Sequence, residues 1–312
     1  MFNIYFRTIK GKEFRKIDEL RDGAWINVEN ATEEDLKKVA EITNLDYIDL
    51  EDSLDHYELP RIEKQDNNII IFVRNPQSKG LEEEFLHTQI LTIIITEKYF
   101  ITISISKNSI IELLLIKNDP NIELGTTQRS KLLFYILLRI SKSFTRQIKK
   151  TKNNVLSQKK HIAKIENSDI IKLIENEEIL NQYLSALSPM RAVFKDIATG
   201  KYIQLYEYDQ DIFEDVVISI KQSAELCEMS IKSIQSLRDS YQIIFTNRLN
   251  KVIKFLTSFT IIMTVPTIVG SLYGMNVRLP LSNNPLAFWY VMIIIFGLAV
   301  ILTYVFARRK WL

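Results

Sequence analysis

The sequence predicts an α+β membrane protein. A cytosolic α/β domain with a helical hairpin comes first. A long stalk helix then continues into the first of two C-terminal transmembrane helices. Three observations predict this. Short apolar and alternating runs separated by turn residues fill the first third of the chain. A helical pattern without Gly or Pro runs from near Asp211 to Val265, far longer than an ordinary globular helix. Two apolar runs, 255–272 and 286–306, close the sequence, and the second has no charge at all. About 20 apolar residues cross roughly 30 Å of hydrocarbon. A buried core helix would explain the first, more polar run, but it explains the second poorly.

The predicted divisions are an α/β domain over 1–126, a helical hairpin over 127–209 and a stalk helix over 210–250. A first transmembrane helix over 251–272, an extracellular loop over 273–286, a second transmembrane helix over 287–306 and a basic tail over 307–312 follow. Strands are expected at Asn3 to Thr8, Ala24 to Val28, Asn68 to Val73, Gln89 to Thr96 and Tyr99 to Ile105. The last two flank Glu97-Lys98 as in a hairpin. Thr32 opens a helix whose first turn holds Glu33, Glu34 and Asp35, where the helix dipole favours negative charge. Ile93-Ile94-Ile95 is apolar on both faces, so the sheet is expected to be covered on both sides. Helix is expected over 128–166, then a break at Asn167-Ser168-Asp169, then helix to about Ala198. The basic stretch from Arg146 to Lys164 reads as a solvated helix face rather than a nucleic-acid or lipid patch.

Composition excludes several classes. A net charge of +2 argues against a nucleic-acid partner. The single cysteine, Cys227, forms no internal disulfide and fits a reducing compartment. His56, His87 and His161 are scattered and no CxxC or HExxH occurs, so a zinc-type site has no support. No P-loop or nucleophile–base pair supports an enzyme. The opening MFNIYFRTIKGKEF is not expected to be a signal peptide.

Charge flanks orient the spans. Lys251 and Lys254 precede the first, Arg308, Arg309 and Lys310 follow the second, and only Arg278 lies between. The positive-inside rule puts both ends in the cytoplasm and the 273–286 loop outside. Trp289, Tyr290 and Trp311 stand where interfacial aromatics belong.

Helical phase adds chemistry. Alternate steps of three and four from Asn250 meet Ile253, Thr257, Thr260, Thr264, Thr267 and Ser271, so six of seven positions are polar and uncharged. Ser and Thr also help membrane helices pack. A stripe this continuous suits a water-filled path better. One helix encloses no path, so a symmetric homo-oligomer with the stripe at its axis is expected. Hydroxyl and amide groups cannot strip a divalent cation but hydrogen-bond to its waters, which suits Mg²⁺, an ion reluctant to dehydrate. At the mouth stand Tyr273, Gly274, Met275 and Asn276. Asn276 supplies a side-chain carbonyl, and Gly274 is expected to permit the turn out of the helix. Pro266 removes one backbone donor.

Followed backward, the same phase meets Thr246, Ile243, Asp239, Ser236, Lys232 and Met229. It then continues through Glu225, Gln222, Ile218, Asp215 and Asp211, a mostly polar face expected to line a wet funnel. An adjacent apolar face carries Phe213, Val217, Ile220, Ala224, Cys227, Ile231, Ile234, Tyr241 and Ile244. Asp211 and Asp215, four apart, repel unless a cation sits nearby. Capping by Asp211 and solvation of Asp215 explain the pair equally well.

The segment NKVIKFLTSFTIIMTVPTIVGSLYGMN (Asn250 to Asn276), the apolar span after it and the ending ARRKWL closely resemble the CorA family of divalent-cation transporters. LEDSLD at 50–55, followed by Pro60-Arg61-Ile62-Glu63, extends the resemblance over nearly the whole chain. The resemblance implies a homopentamer in the cell (inner) membrane, passing Mg²⁺ inward, with Co²⁺ and Ni²⁺ as alternatives. It implies a selectivity loop at Gly274, Met275 and Asn276, and pore positions at Asn250, Leu256, Thr264 and Thr267. Leu256 would belong to a hydrophobic constriction, and Thr264 replaces a Met of some members. Asp215 matches a stalk carboxylate that binds regulatory Mg²⁺ between protomers in relatives. Glu82 to Glu84 are candidates for its partner. The loop VRLPLSNNPLA departs from the family in carrying Arg278 and no acid. A zinc-exporting branch shares the fold and motif, so a Zn²⁺ or other transition-metal transporter is the alternative. The absence of Cys and His along the stripe argues against it. A membrane-anchored coiled-coil scaffold is a further alternative, and it needs no polar stripe.

Overall fold

The structure is a computed structural model that describes residues 1–11, 13–77, 86–116, 124–158, 167–203, 205–277, 280 and 284–311. The chain divides into two compact units, Met1–Ser236 and Leu237–Leu312.

In the first unit, seven strands form one mixed sheet: β1 (Phe2–Phe6), β2 (Arg15–Ile17), β3 (Trp25–Glu29), β4 (Arg61–Gln65), β5 (Asn68–Pro76), β6 (Thr88–Ile95) and β7 (Phe100–Ser104). Their order is β2-β1-β3-β7-β6-β5-β4. β3 and β7 run parallel, Trp25 opposite Phe100, while the other pairs are antiparallel. The Glu97-Lys98 hairpin closes through Thr96 N–H to Tyr99 O at 3.0 Å, as the sequence predicts.

Thr32 caps α1 (Glu33–Thr43) with a capping box: its hydroxyl accepts from Asp35 N–H, and the Asp35 carboxylate accepts from Thr32 N–H. α1 and α2 (Tyr47–Glu51) cover one face of the sheet, where Leu36, Val39 and Leu50 meet Ile26, Phe72, Ile94 and Ile103. The alternate residues Ile71, Val73, Leu91 and Ile93 point the other way and are equally buried. Every residue of β6 is buried, so the sheet is covered on both faces as its isoleucine run requires. Beyond β7 lies α3 (Ser109–Ile116), opened by Asn108, whose side-chain oxygen accepts from the N–H groups of Ile110 and Ile111.

Three longer helices follow: α4 (Arg129–Gln158), α5 (Asn167–Ala198) and α6 (Glu207–Tyr273). α4 and α5 pack on each other and on β5. The expected break at Asn167 is the start of α5, and 159–166, which include His161 and Lys164, lie outside the described residues. Gly200, at φ +73, turns the chain between α5 and α6. The part of α6 in this unit packs through Phe213 on Phe134 (ring centroids 4.9 Å apart), Ser223 on Thr145 (2.6 Å) and the Cys227 thiol on Leu180 O (3.1 Å). Burial pushes the Cys227 thiol up to about 12, so it is a packing residue and no thiolate.

α6 begins four residues before Asp211 and continues through Pro266 and Gly270 to Tyr273, further at both ends than the helical pattern expected from near Asp211 to Val265. The second unit holds the end of α6 and α7 (Ala287–Arg308). Its two helices are long and apolar enough to cross a membrane, and their apolar side chains are exposed.

Candidate functional site

The second unit turns on two faces of α6. Ser258 is fully buried, and Ile262, Val265, Pro266 and Val269 are half-buried. Ser258 donates its hydroxyl to Lys254 O at 2.7 Å, so the one polar residue off the predicted stripe is a small packing residue. α7 carries a matching half-buried line at Val291, Ile295, Ala299, Leu302 and Phe306. These lines are the faces available for the two helices to meet.

Asn250, Ile253, Thr257, Thr260, Thr264, Thr267 and Ser271 are all exposed, as is Leu256 beside them. At 3.6 residues per turn, the centre of this stripe lies about 160° around the helix from the covered line. The polar stripe therefore faces away from the covered side of the helix.

Hydroxyl geometry sharpens its chemistry. Thr260 Oγ1 lies 2.9 Å from Leu256 O, Thr264 Oγ1 2.7 Å from Thr260 O, and Thr267 Oγ1 3.1 Å from Met263 O. A carbonyl cannot donate, so each hydroxyl hydrogen turns back to the helix and the oxygen lone pairs face outward. Waters around a cation point their hydrogens outward, and a row of acceptors matches them.

At the helix end, Gly274 N–H bonds to Gly270 O at 3.0 Å and Ser271 O at 3.2 Å, and Met275 N–H to Leu272 O at 3.2 Å. Gly274 permits the turn without being the one residue that could make it. Its φ is not left-handed, unlike that of Gly23 and Gly200, and a Cβ at Gly274 would meet only ordinary contacts at 3.5 Å. Within one protomer a larger residue fits there. Tyr273, Met275 and Asn276 are exposed beside it. Arg278, singled out from the sequence, lies outside the described residues.

On the earlier part of α6, all eleven positions from Thr246 back to Asp211 on the polar line are exposed, including Asp239, Asp215 and Asp211. The apolar line needs one correction: Val216, not Val217, is fully buried, because it is the residue three before Ser219 and four before buried Ile220 that keeps the packed phase. Ile244 is only half-buried. Among the described residues, no group of three or more His, Cys, Asp or Glu side chains is arranged to hold a metal within one protomer. Glu82 to Glu84 lie outside the described residues.

The LEDSLD and PRIE segments converge in a way their sequence did not disclose. Arg61 donates Nη2–H to Asp52 and Nε–H to Glu63, each at 2.6 Å, and Nη1–H to Glu58, with its guanidinium 4.0 Å from the centroid of the Phe72 ring. Arg74, 5% exposed, donates to Glu58 O at 2.8 Å, His56 O at 2.9 Å, Thr88 O at 3.1 Å and Thr88 Oγ1 at 2.9 Å, fixing the loop between them. One signal was available: an arginine inside an apolar strand needs partners.

The chain matches the family described as CorA-like Mg²⁺ transporter protein over residues 21–309. The chain belongs to the CorA family. It is 27% identical over 296 residues to the cobalt/magnesium transport protein CorA of Methanocaldococcus jannaschii, covering 92% of this chain and 91% of that one. The complete structure of the CorA magnesium transporter from Methanocaldococcus jannaschii superposes with a TM-score of 0.84 at 26% identity, covering 100% and 99% of the two chains. The full-length CmaX protein shares the fold, with a TM-score of 0.72 at 18% identity over 99% of this chain and 97% of that one. The mixed-sheet unit, the long helix and the two apolar C-terminal helices are thus those of a CorA-family divalent-cation transporter, a membrane protein.

Proposed function

We propose that this chain assembles as a homopentamer in the cell (inner) membrane and admits Mg²⁺ to the cytoplasm, with Co²⁺ and Ni²⁺ as competing ions. Both termini are cytoplasmic. Residues 251–272 line the bore through Thr257, Thr260, Thr264, Thr267 and Ser271, with Asn250, Ile253 and Leu256 towards its inner end. Residues 287–306 form the outer span. The outer loop, 273–286, presents Asn276 and the backbone carbonyls around Gly274 to the waters of the arriving ion. The observation that carries this reading is the outward row of hydroxyl acceptors, set opposite the covered side of the helix. An inside-negative potential drives a divalent ion with about 4.6 kcal/mol per 100 mV.

Mg²⁺ also regulates the stalk, 210–250. Asp215, with Asp211 one turn away, is exposed on the polar line, where a cytoplasmic cation bridging neighbouring protomers would hold the closed state. As the ion falls, carboxylate repulsion loosens the ring. The test is uptake into liposomes holding the purified protein, across Mg²⁺, Co²⁺, Ni²⁺ and Zn²⁺, with and without an inside-negative potential. Mg²⁺ uptake that grows with the potential is expected. Uptake of Zn²⁺ alone, or none above protein-free liposomes, would refute the reading.

A further inference from the structure

In the first unit a cavity of about 710 Å³ lies among the β4–β5 turn, the β6–β7 turn, the start of α4 and the segment leading into α6. Ligand pockets run roughly 300–1,000 Å³. Its walls divide by chemistry. Ile69, Ile95 and Ile203 form an apolar floor beside the rings of Tyr202 and Tyr206. Gln128, Arg129, Ser130 and Lys131 bring in the opening turn of α4, where backbone N–H groups have no acceptor within the helix; Leu132 N–H is the first to bond back, to Gln128 O at 2.9 Å. Arg129 Nη1–H is pinned to Thr96 O at 2.6 Å and to Glu97 O, which fixes a cation at the rim.

The second observation is Asp209. A carboxylate in the first turn of α6 needs only water to satisfy the helix dipole, yet this one lines the cavity at 8% exposure. Its carboxylate has no hydrogen-bond partner among the described residues. Burial pushes it above the usual carboxylate range, against the pull of Lys131. Its oxygens open onto the cavity rather than into the core, so the occupant of the cavity supplies their donors.

We propose that this cavity binds a nucleoside phosphate. The base stacks on the tyrosine rings over the isoleucine floor and gives ring or amino N–H groups to Asp209. The phosphate meets the α4 N-terminus with Lys131 and Arg129, since helix starts and fixed cations attract anions. A simple anion would have no use for the aromatic wall, and an amino acid would leave most of the volume empty.

The test is equilibrium binding of AMP, GMP, adenosine and inorganic phosphate to the full-length protein in detergent micelles, independent of any transport. One or both nucleotides should bind at least about tenfold more tightly than adenosine or phosphate. Asp209→Asn, nearly isosteric, and Tyr206→Ala, at a half-exposed ring, should each weaken that binding about tenfold. Three outcomes overturn the proposal: no nucleotide binding to the folded wild type, phosphate binding as tightly as a nucleotide, or nucleotide binding unchanged in both variants.

Discussion

Trp25 and Trp289 mark the contrast between the two units. Trp25 is fully buried, its ring meets Tyr5, Phe14 and Phe100, and its Nε1–H donates to Thr102 Oγ1 at 2.9 Å. Trp289 is 64% exposed and touches Phe288. The first unit consumes its apolar side chains in its own core, and the polar atoms it buries are mostly tied to neighbours. The second leaves Phe255, Met263, Ile293 and Phe296 exposed while its hydroxyls bond to their own helix. Residues of the same kinds are thus placed differently, as the apolar spans of a membrane protein require.

Perturbing each unit sharpens this contrast. The largest effect is expected at Asn276→Ala: Mg²⁺ uptake by liposomes should fall to the protein-free level while the assembly elutes unchanged in size-exclusion chromatography. Normal uptake would remove Asn276 from the selectivity loop. Asp215→Lys should next abolish inhibition by Mg²⁺ on the cytoplasmic side, measured as uptake against internal Mg²⁺; retained inhibition dismisses a regulatory role for that carboxylate.

Stability effects follow. Arg74→Met removes the donor from one buried and two half-buried carbonyls and should cost about 1–3 kcal/mol, read as a lowered unfolding midpoint with uptake per folded protein unchanged. Two variants on opposite faces of α6 then separate packing from permeation. Ser258→Leu overfills the covered face and should cost about 1–3 kcal/mol. Thr260→Leu, on the exposed stripe, should slow uptake and leave stability alone; equal behaviour of the pair would falsify the two-face description.

The smallest effect is a pH dependence. Burial pushes His87 below its ordinary value, against the pull of Glu178. The folded state then binds this proton less readily than the unfolded one, so the contribution is present above about pH 6.5 and lost as pH falls through the folded value. The unfolding midpoint of the wild type should drop with acidification in that window more than that of His87→Gln. Parallel curves would show that His87 plays no part.

What the sequence disclosed follows from the range of each interaction. The stripe from Asn250 to Ser271 was legible because helical phase is local, and six of its seven residues announce themselves by polarity. The capped start of α1 and the doubly buried β6 were legible for the same reason. β4 was missed because its charges, Arg61, Glu63 and Lys64, hide a strand that pairs only with β5 at the sheet's edge. α3, reading SIIELLLI, is an apolar run too short for its period to be read. The parallel pairing of β3 with β7 joins residues about 75 apart, which no local pattern encodes. The three carboxylates gathered on Arg61 and the buried Asp209 depend on the same long-range closure. Gly274 differs again: its backbone makes no demand for glycine within the chain.

The back-turned threonine hydroxyls have a consequence for the sign of the permeating charge. Around an anion the water molecules reverse, lone pairs outward, and they seek donors. Thr260, Thr264 and Thr267 have already committed those hydrogens to the Leu256, Thr260 and Met263 carbonyls, so a bore walled by them, as proposed above, would offer few donors. In the proposed bore, chloride would meet oxygen facing oxygen along the stripe, so a wall without formal charge would still favour cations. An acidic residue in the outer loop is then unnecessary for turning anions away.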